Sequence, residues 1–471
     1  MNIYSTIVEE NLAWEGIAVH DKGTAYSYPE LFSAVDRVSD SLLASGVRAL
    51  DRCVFIADDS YEYIVYTLAI LKINAAIIPL STRAAKKELE KMLAGLPWEF
   101  FIFPAGYKNH EPSSELPFGF SLEKNREQFP PAQLPAGDIP AFIRFSSGTT
   151  GRNKGVILSH RSVLERTAAC TALDINRGEN VLWVLDMAYH FVVTILLFLR
   201  RGSSIVICGF PVETKMAECM RRFPMTLLYG TPYHYRIMSG SPLYSPESLK
   251  TVRMAVSTAM ALPGETAKAF MEKFAMPLNQ AYGIIEIGLP CINSTAAAGG
   301  REGSVGKLQE AYAVRIDDPD SSGIGEILLK GPGMFDAYLA PFALRSEICR
   351  DGYFVTGDLG YVDRDGFLFI AGRSKNVIVF AGMKIFPYEV ENVLLEHPAV
   401  SEVYVYGVAS PEWGEFPVAK VVLAPGYSDN GGLRADLRGF CYARMSEYKV
   451  PKQFIVVSEL EKTASGKIIR S

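Results

Sequence analysis

The sequence predicts a large α/β domain followed by a small α+β domain. Helical and strand-like segments alternate through the first third of the chain, which implies layers joined by crossover connections. After Gly323 the texture changes to short extended pieces separated by glycine turns. The length, 471 residues, exceeds what one ordinary hydrophobic core serves.

Residues 29–45 carry helical apolar spacing and run into a stop at Gly46. Residues 53–57 read as a buried strand, 61–73 as a helix, and Ala76 to Pro79 as a second strand. A helix follows from Lys86 to Ala94, then a strand from Phe100 to Phe103. Residues 104–139, rich in Pro, Glu and Gly with few periodic apolar positions, read as a surface connection. The middle region repeats the same order. Strands are expected at 141–145, 204–207, 226–229 and 252–257, and a helix at 264–274. Short extended pieces at 325–330, 352–356 and 367–370 predict a smaller sheet or barrel-like section closing the large domain. A boundary signal lies at Gly372-Arg373-Ser374-Lys375. Beyond it, strands at 377–380, 403–408, 419–423 and 454–457, with helices at 387–395 and 433–445, form a small domain.

Composition narrows the function classes. With 49% hydrophobic and 21% charged residues the chain can bury a core and does not look disordered. A net charge of -5 without a long basic run argues against nucleic acid as a partner. The 7 cysteines are scattered with no CxxC pair, as in reduced cytoplasmic thiols and unlike a disulfide frame or zinc site. The acidic N-terminus lacks the positive start and apolar core of a secretory signal. Phe191 to Leu199 is apolar for only nine residues before Arg200 and Arg201, which suits a buried helix and not a membrane span. A cytoplasmic location without integral membrane association is expected.

The chemical signal lies at Ser146-Ser147-Gly148-Thr149-Thr150-Gly151-Arg152-Asn153-Lys154-Gly155. A strand leads into it and a helix follows Ser159 and His160. Its three glycines let the backbone turn tightly toward an oxyanion, and successive N–H groups can point inward as an anion nest. The hydroxyls of Ser146, Ser147, Thr149 and Thr150 add donors, and Lys154 can offset phosphate charge. The order differs from the common nucleotide loop GxxxxGK[ST]. A polar surface turn is the plainer reading of any one such glycine; the full arrangement points to phosphate.

At this point the chain resembles the adenylate-forming (AMP-binding) superfamily of acyl- and aryl-CoA synthetases, luciferases and adenylation domains. SSGTTGRNKG is similar to its ATP phosphate loop, with Asn153 where proline is frequent. Gln280 to Glu286 (QAYGIIE) resembles its YGxTE motif, and Thr356-Gly357-Asp358 its TGD motif. Gly372 to Glu391 resembles the domain junction, and Thr463 to Ile468 (TASGKI) the segment presenting a catalytic lysine. The resemblance implies a large multi-subdomain N-terminal AMP-binding domain at 1–374 and a small mobile α+β domain at 375–471. It implies two half-reactions that use ATP and Mg²⁺. A carboxylate first becomes an acyl-adenylate, and a thiol then takes the acyl group while the small domain rotates between the steps.

By the same resemblance Lys467 is the adenylation lysine, Asp358 holds the ribose hydroxyls and Arg373 meets ribose or phosphate oxygens. Tyr282 is placed against adenine, Glu286 on Mg²⁺, and Lys375 at the domain pivot. Without the motifs these would read as surface charges, caps, ion pairs and core aromatics. Ile285 departs from the pattern: it stands at a position usually held by threonine and cannot donate a hydroxyl.

His190 is similar to the residue flanking the acyl pocket, a movable gate between carboxylate and thiol; a satisfied structural histidine carries equal weight. Asp186 lies out of the position at which amino-acid-activating relatives pair the substrate ammonium, which disfavours a free α-amino acid. Thr258, Ala259 and Met260 occupy a stretch usually rich in glycine. With Tyr229, Tyr233 and Gly283 they suggest a restricted apolar pocket for an aromatic or short-to-medium aliphatic acid. Gly382, Met383 and Lys384 fall in the loop that approaches the pantetheine channel. The acceptor is therefore coenzyme A or the phosphopantetheine of an acyl or aryl carrier protein. The competing readings are a luciferase-type oxidative enzyme and a non-catalytic nucleotide- or acyl-binding homologue.

Overall fold

The computed structural model describes the chain except residues 1, 85, 94–95, 108–109, 126, 128–133, 136, 146–153, 294–300, 302, 463–467 and 471. Two large sheets with parallel centres dominate it. In the nine-stranded sheet, Phe100–Pro104, Arg52–Ala57, Ala76–Ser81 and Pro140–Phe145 run parallel. In the eight-stranded sheet, Leu278–Ile284, Met254–Ser257, Leu227–Gly230, Asn180–Trp183, Ser204–Ile207 and Ile17–Asp21 do so. Both faces of such sheets are covered, so their strands are continuous apolar runs and not alternating ones. Arg52–Ala57 is buried at every position.

One core joins the two sheets: Ile77, Phe142 and Val156 of the first pack in the same cluster as Val181, Ile205 and Val256 of the second. Helices Tyr28–Ala44, Tyr61–Lys72 and His160–Ala169 contribute to that cluster. Their starts follow from capping. Ser27 and Glu30 form a reciprocal capping box, and the hydroxyls of Ser60 and Ser159 accept from the backbones of Tyr63 and Ser162. The apolar stretch after His190 is a buried helix as expected, but it opens with a π-helical segment, Phe191–Ile195, before Leu196–Arg200. Among the described residues no helix is long and apolar enough to cross a membrane.

Residues 104–139 depart from the surface-connection reading. They contain two strands, Ser114–Leu116 and Phe120–Lys124, that extend the edge of the nine-stranded sheet. Among the described residues the buried apolar side chains there are Leu116, Phe120 and Leu122, too few for a period to stand out in sequence.

The glycine-punctuated region forms a five-stranded antiparallel sheet from Ser304–Gly306 to Leu368–Arg373. The chain leaves it at Arg373, passes a single 3₁₀ turn at Ser374–Asn376, and enters a last sheet at Ile378–Phe380. That sheet is built on the long hairpin Val400–Ser410 and Gly414–Leu423, with helices Pro387–Leu395 and Leu433–Tyr442 supplying Val390, Leu394, Leu433 and Leu437 to its own core.

Gly333 fixes how the turn before Ala337–Leu339 meets helix His160–Ala169. It has φ +66°, and a Cβ there would lie 2.4 Å from both Ser162 O and Arg166 N. Its carbonyl accepts from Arg166 Nε at 2.9 Å and Nη2 at 2.5 Å. Gly333→Ala is therefore expected to lower stability by about 3 kcal/mol in urea denaturation.

Two buried histidines set an acid limit. Burial lowers His160 and His234 from 6.5 to about 4, so both are neutral in the native state. The unfolded chain takes up their protons as pH falls below 6.5 and the native chain does not. Stability is expected to fall between pH 6.5 and 4, with each histidine contributing up to about 3 kcal/mol of the loss, readable in urea midpoints across that range.

Candidate active site

The carboxyl ends of the parallel strands converge, and in open α/β sheets this is where ligands bind. The Ser146–Asn153 stretch follows strand Pro140–Phe145, and the helix bearing His190 comes after Asn180–Trp183. Thr258 and Ala259 follow Met254–Ser257, while Tyr282 and Glu286 lie at the end of Leu278–Ile284. Topology thus gathers segments that are more than one hundred residues apart in sequence.

Asp358 is the best-defined side chain of the site. It sits 4% exposed on strand Phe354–Val362. The Tyr282 hydroxyl donates to its Oδ2 at 2.5 Å, and Arg373 Nε pairs with its Oδ1 at 2.6 Å. Its own N–H donates to Thr356 Oγ1 at 3.0 Å. Asp358 and Arg373 are cross-strand partners on adjacent strands, which is what sets the ion pair. The buried Tyr282 phenol is held well above its ordinary range, first by burial and then by the charge of Asp358. The tyrosine expected against adenine thus uses its hydroxyl to orient a carboxylate.

A second cluster surrounds Glu286. Tyr338 donates its hydroxyl to Glu286 Oε1 at 3.0 Å, and Lys154 Nζ lies 4.8 Å from the Tyr338 ring centroid. Burial raises the Glu286 carboxyl above the ordinary range, although Tyr338, Arg373 and Arg166 oppose the shift. A half-buried carboxylate pushed up by desolvation is suited to a cation, which would offset that cost. Among the described residues no three metal-ligating side chains gather, so an ion held by Glu286 would complete its oxygen shell from phosphate and water. Ile285 packs its side chain on the main core and lends its carbonyl to Arg166 Nη1 at 3.1 Å.

Expected pocket residues separate by depth. Tyr229 is buried, with a ring contact to Phe198 at 6.1 Å, and the Thr258 hydroxyl lies beside its phenol. Tyr233 is 51% exposed and Met260 36%, so these two belong to a rim and not to a floor. Ala259 has φ +69°, the left-handed conformation that favours glycine, so a side chain stands where the backbone geometry suits none. Gly283 is required by close approach: a Cβ there would lie 2.8 Å from Gly288 O. His190 ends the short helix Met187–His190. Asp186 is consumed locally, accepting from Ala188 N at 2.9 Å and from Ser81 Oγ at 2.5 Å.

Ser146, Ser147, Gly148, Thr149, Thr150, Gly151 and Lys467 lie outside the described residues. The segment bearing Lys467 is flanked by an antiparallel bridge from Lys462 to Ile468. Lys462 Nζ pairs with Glu402 at 2.8 Å, and Arg236, on the helix after strand Leu227–Gly230, reaches Ser401 O at 3.0 Å and Glu402 at 3.7 Å. Lys375 is exposed in the 3₁₀ turn between the third and fourth sheets. Gly382, Met383 and Lys384 form an exposed turn and strand start, and Lys384 shares a cleft of about 290 Å³ with Asp317, Asp318 and Arg350. The same cleft is lined by Leu359 and Ser374, the residues next to Asp358 and Arg373.

Sequence reasoning passed over Tyr338, Arg144 and Asp59. Tyr338 is 52 residues from Glu286 and belongs to no motif. Arg144 did carry a signal: it is a charge in a strand whose six residues are all buried.

Residues 11–339 match the family model of an AMP-binding enzyme, and residues 389–467 that of the AMP-binding enzyme C-terminal domain. The chain is 28% identical to a feruloyl-CoA synthase of Amycolatopsis sp, over 96% of this chain and 94% of that protein. It is also 28% identical to a 2-succinylbenzoate–CoA ligase of Listeria monocytogenes, with the same shares covered. The fold superposes on ATP-bound MatB from Rhodopseudomonas palustris with a TM-score of 0.84 at 24% identity, over 99% of this chain and 97% of that one.

Removing the hydroxyl that aims Asp358 is expected to loosen nucleotide. Tyr282→Phe should weaken nucleotide binding roughly tenfold in calorimetry, as a lost hydrogen bond to a charged acceptor implies, with the melting temperature changed little.

Proposed function

This chain belongs to the AMP-binding enzyme family, and we propose that it is an ATP-dependent acid–thiol ligase for an aromatic or short-to-medium apolar acid. The carboxylate oxygen attacks the α-phosphorus of ATP, pyrophosphate leaves, and a thiol then attacks the acyl carbon and releases AMP. The observation that carries the reading is that the charge of Arg373, the partner of Asp358, also acts on Glu286, as Glu286 does on Arg144 of the strand that precedes SSGTTGRNKG.

The residues divide the work. Asp358, oriented by Tyr282 and Arg373, accepts from ribose hydroxyls. Glu286 holds Mg²⁺, which offsets charge on the phosphates when bound. Ser146, Ser147, Gly148, Thr149, Thr150 and Gly151 donate to phosphate oxygens, and Lys154 adds a positive charge at the edge of the site. Lys467 stabilises the charge that develops between carboxylate and α-phosphate. His190 gates the passage between acid and thiol. Residues 1–374 form the catalytic platform, 375–471 the rotating domain, and Lys375 its pivot. Turning the small domain would carry the Gly382–Lys384 loop from its present cleft toward the thiol.

The acid class is supported by the buried Tyr229, by Ala259 held in a left-handed turn, and by relatives named for ferulate and 2-succinylbenzoate. Coenzyme A is the favoured acceptor because those relatives are CoA ligases. We place the enzyme in the cytoplasm, where the 7 free cysteines stay reduced.

The test is a matrix of aromatic and aliphatic acids with ATP and Mg²⁺, offering CoA or a phosphopantetheinylated carrier protein, followed by intact mass. Selective acyl-CoA from an aromatic acid is the expected product. A selective acyl–carrier product would replace CoA as acceptor, and light or oxygen consumption without thioester would overturn the ligase reading. Lys467→Ala is expected to lower adenylate formation at least about a hundredfold, the scale of losing one preorganised charge at a transition state.

A further inference from the structure

Met187–His190 is the first turn of a helical run that continues through Phe191–Ile195 into Leu196–Arg200, and His190 N and Phe191 N donate within it to Asp186 O and Met187 O, but a first turn leaves its leading N–H groups without helical partners. It is held from outside. Met187 N donates to Asp59 Oδ1 at 2.8 Å, and Ala188 N to Asp186 Oδ1 at 2.9 Å. At the other end, Arg144 Nη1 donates to the carbonyl of Tyr189, and its guanidinium lies 5.4 Å from the Tyr189 ring centroid. Negative groups thus cap the amino end and a cation caps the carboxyl end, as the helix dipole favours.

The two outer clamps come from the opposite sheet. Asp59 follows strand Arg52–Ala57 and Arg144 lies in Pro140–Phe145, both of the nine-stranded sheet; the helix follows a strand of the eight-stranded one. Ser81, ending a third strand of the nine-stranded sheet, holds the free oxygen of Asp186 at 2.5 Å. Arg83 pairs with Asp59 at 3.2 Å. Arg144 is 9% exposed and, among the described residues, makes no ion pair within 4.0 Å, an arrangement that is costly unless the charge has a task. Arg144 is also two residues before Ser146 in sequence.

His190 stands at a seam. Immediately after it the chain adopts π-helical geometry over Phe191–Ile195, and Thr194 Oγ1 returns a hydrogen bond to His190 O at 2.9 Å. A π segment carries one residue more per hydrogen-bonded turn than an α-helix, so sliding it to α register turns the residues before it.

We propose that Arg144 and Asp59 are positioning residues that pin both ends of the His190 helix against this seam and hold His190 in place for acyl-adenylate formation. The inference rests on the ligase reading and on His190 as its gate. Release of the clamp lets the π segment change register and His190 turn when the thiol enters.

The test compares Arg144→Met, Arg144→Lys and the isosteric Asp59→Asn with the parent enzyme in three measurements: adenylate formation from acid and ATP, thioester formation from supplied acyl-adenylate, and histidine ring resonances. Arg144→Met is expected to slow adenylate formation roughly three- to thirtyfold while supplied adenylate is consumed at nearly the parent rate. The His190 resonances should move while those of the other five of 6 histidines stay, and Arg144→Lys should recover most of the loss. Equal losses in both half-reactions, or an unmoved His190 resonance, would overturn the clamp. Should Arg144→Met not fold, Asp59→Asn carries the same expectations. A parent enzyme that adenylates no acid would defeat the ligase reading instead, and the resonance comparison would still decide whether the clamp holds His190.

Discussion

The carboxylate of Asp358 is the junction on which the site depends. Tyr282 approaches it from the eight-stranded sheet and Arg373 from the neighbouring strand of the five-stranded sheet, so one buried charge ties two sheets together. Arg373 is also the last residue before the turn that leads to the final sheet. Arg373 therefore lies two residues before Lys375, the proposed pivot of the small domain. Charge-assisted hydrogen bonds in a water-poor setting are strong enough to fix direction as well as position, and a carboxylate satisfied from two sides can present its remaining acceptor sites to a ligand without rearranging.

Desolvation recurs through the rest of the site. Glu286 is raised by burial, Arg144 is lowered by it, and Asp59 is pushed up to about 7 by burial and by the charge of Asp186. A protein core ordinarily avoids such groups. Under the proposed function, a triphosphate, a divalent cation and a carboxylate would bring charges of their own to them. Ile285 is different: its side chain joins the core and its carbonyl anchors Arg166.

Much of this was legible in the sequence. Helices Gly264–Phe274 and Pro387–Leu395 and strands Ser204–Ile207 and Gly325–Lys330 follow from apolar spacing and flanking breakers alone. Tyr282, Asp358 and Arg373 could be chosen because motifs carry them, yet their mutual contacts could not. A cross-strand ion pair depends on register between segments, which local pattern does not encode. Tyr338 and Asp59 were illegible for a related reason, since each acts through a partner on a distant element; Arg144 showed only as a charge in an apolar strand, and its partner Tyr189 could not be read. The edge strands Ser114–Leu116 and Phe120–Lys124 were missed because half-exposed short strands carry too few apolar positions to show a period.

On the proposed function, this architecture forms an acyl-adenylate reversibly at one centre. Exchange of labelled pyrophosphate into ATP measures that step alone, independent of which thiol follows. Exchange that requires an aromatic or apolar carboxylic acid and collapses in Asp358→Ala is the predicted result. Exchange that is absent with every such acid, or that persists undiminished in Asp358→Ala, would contradict the assignment of both the reaction and its site.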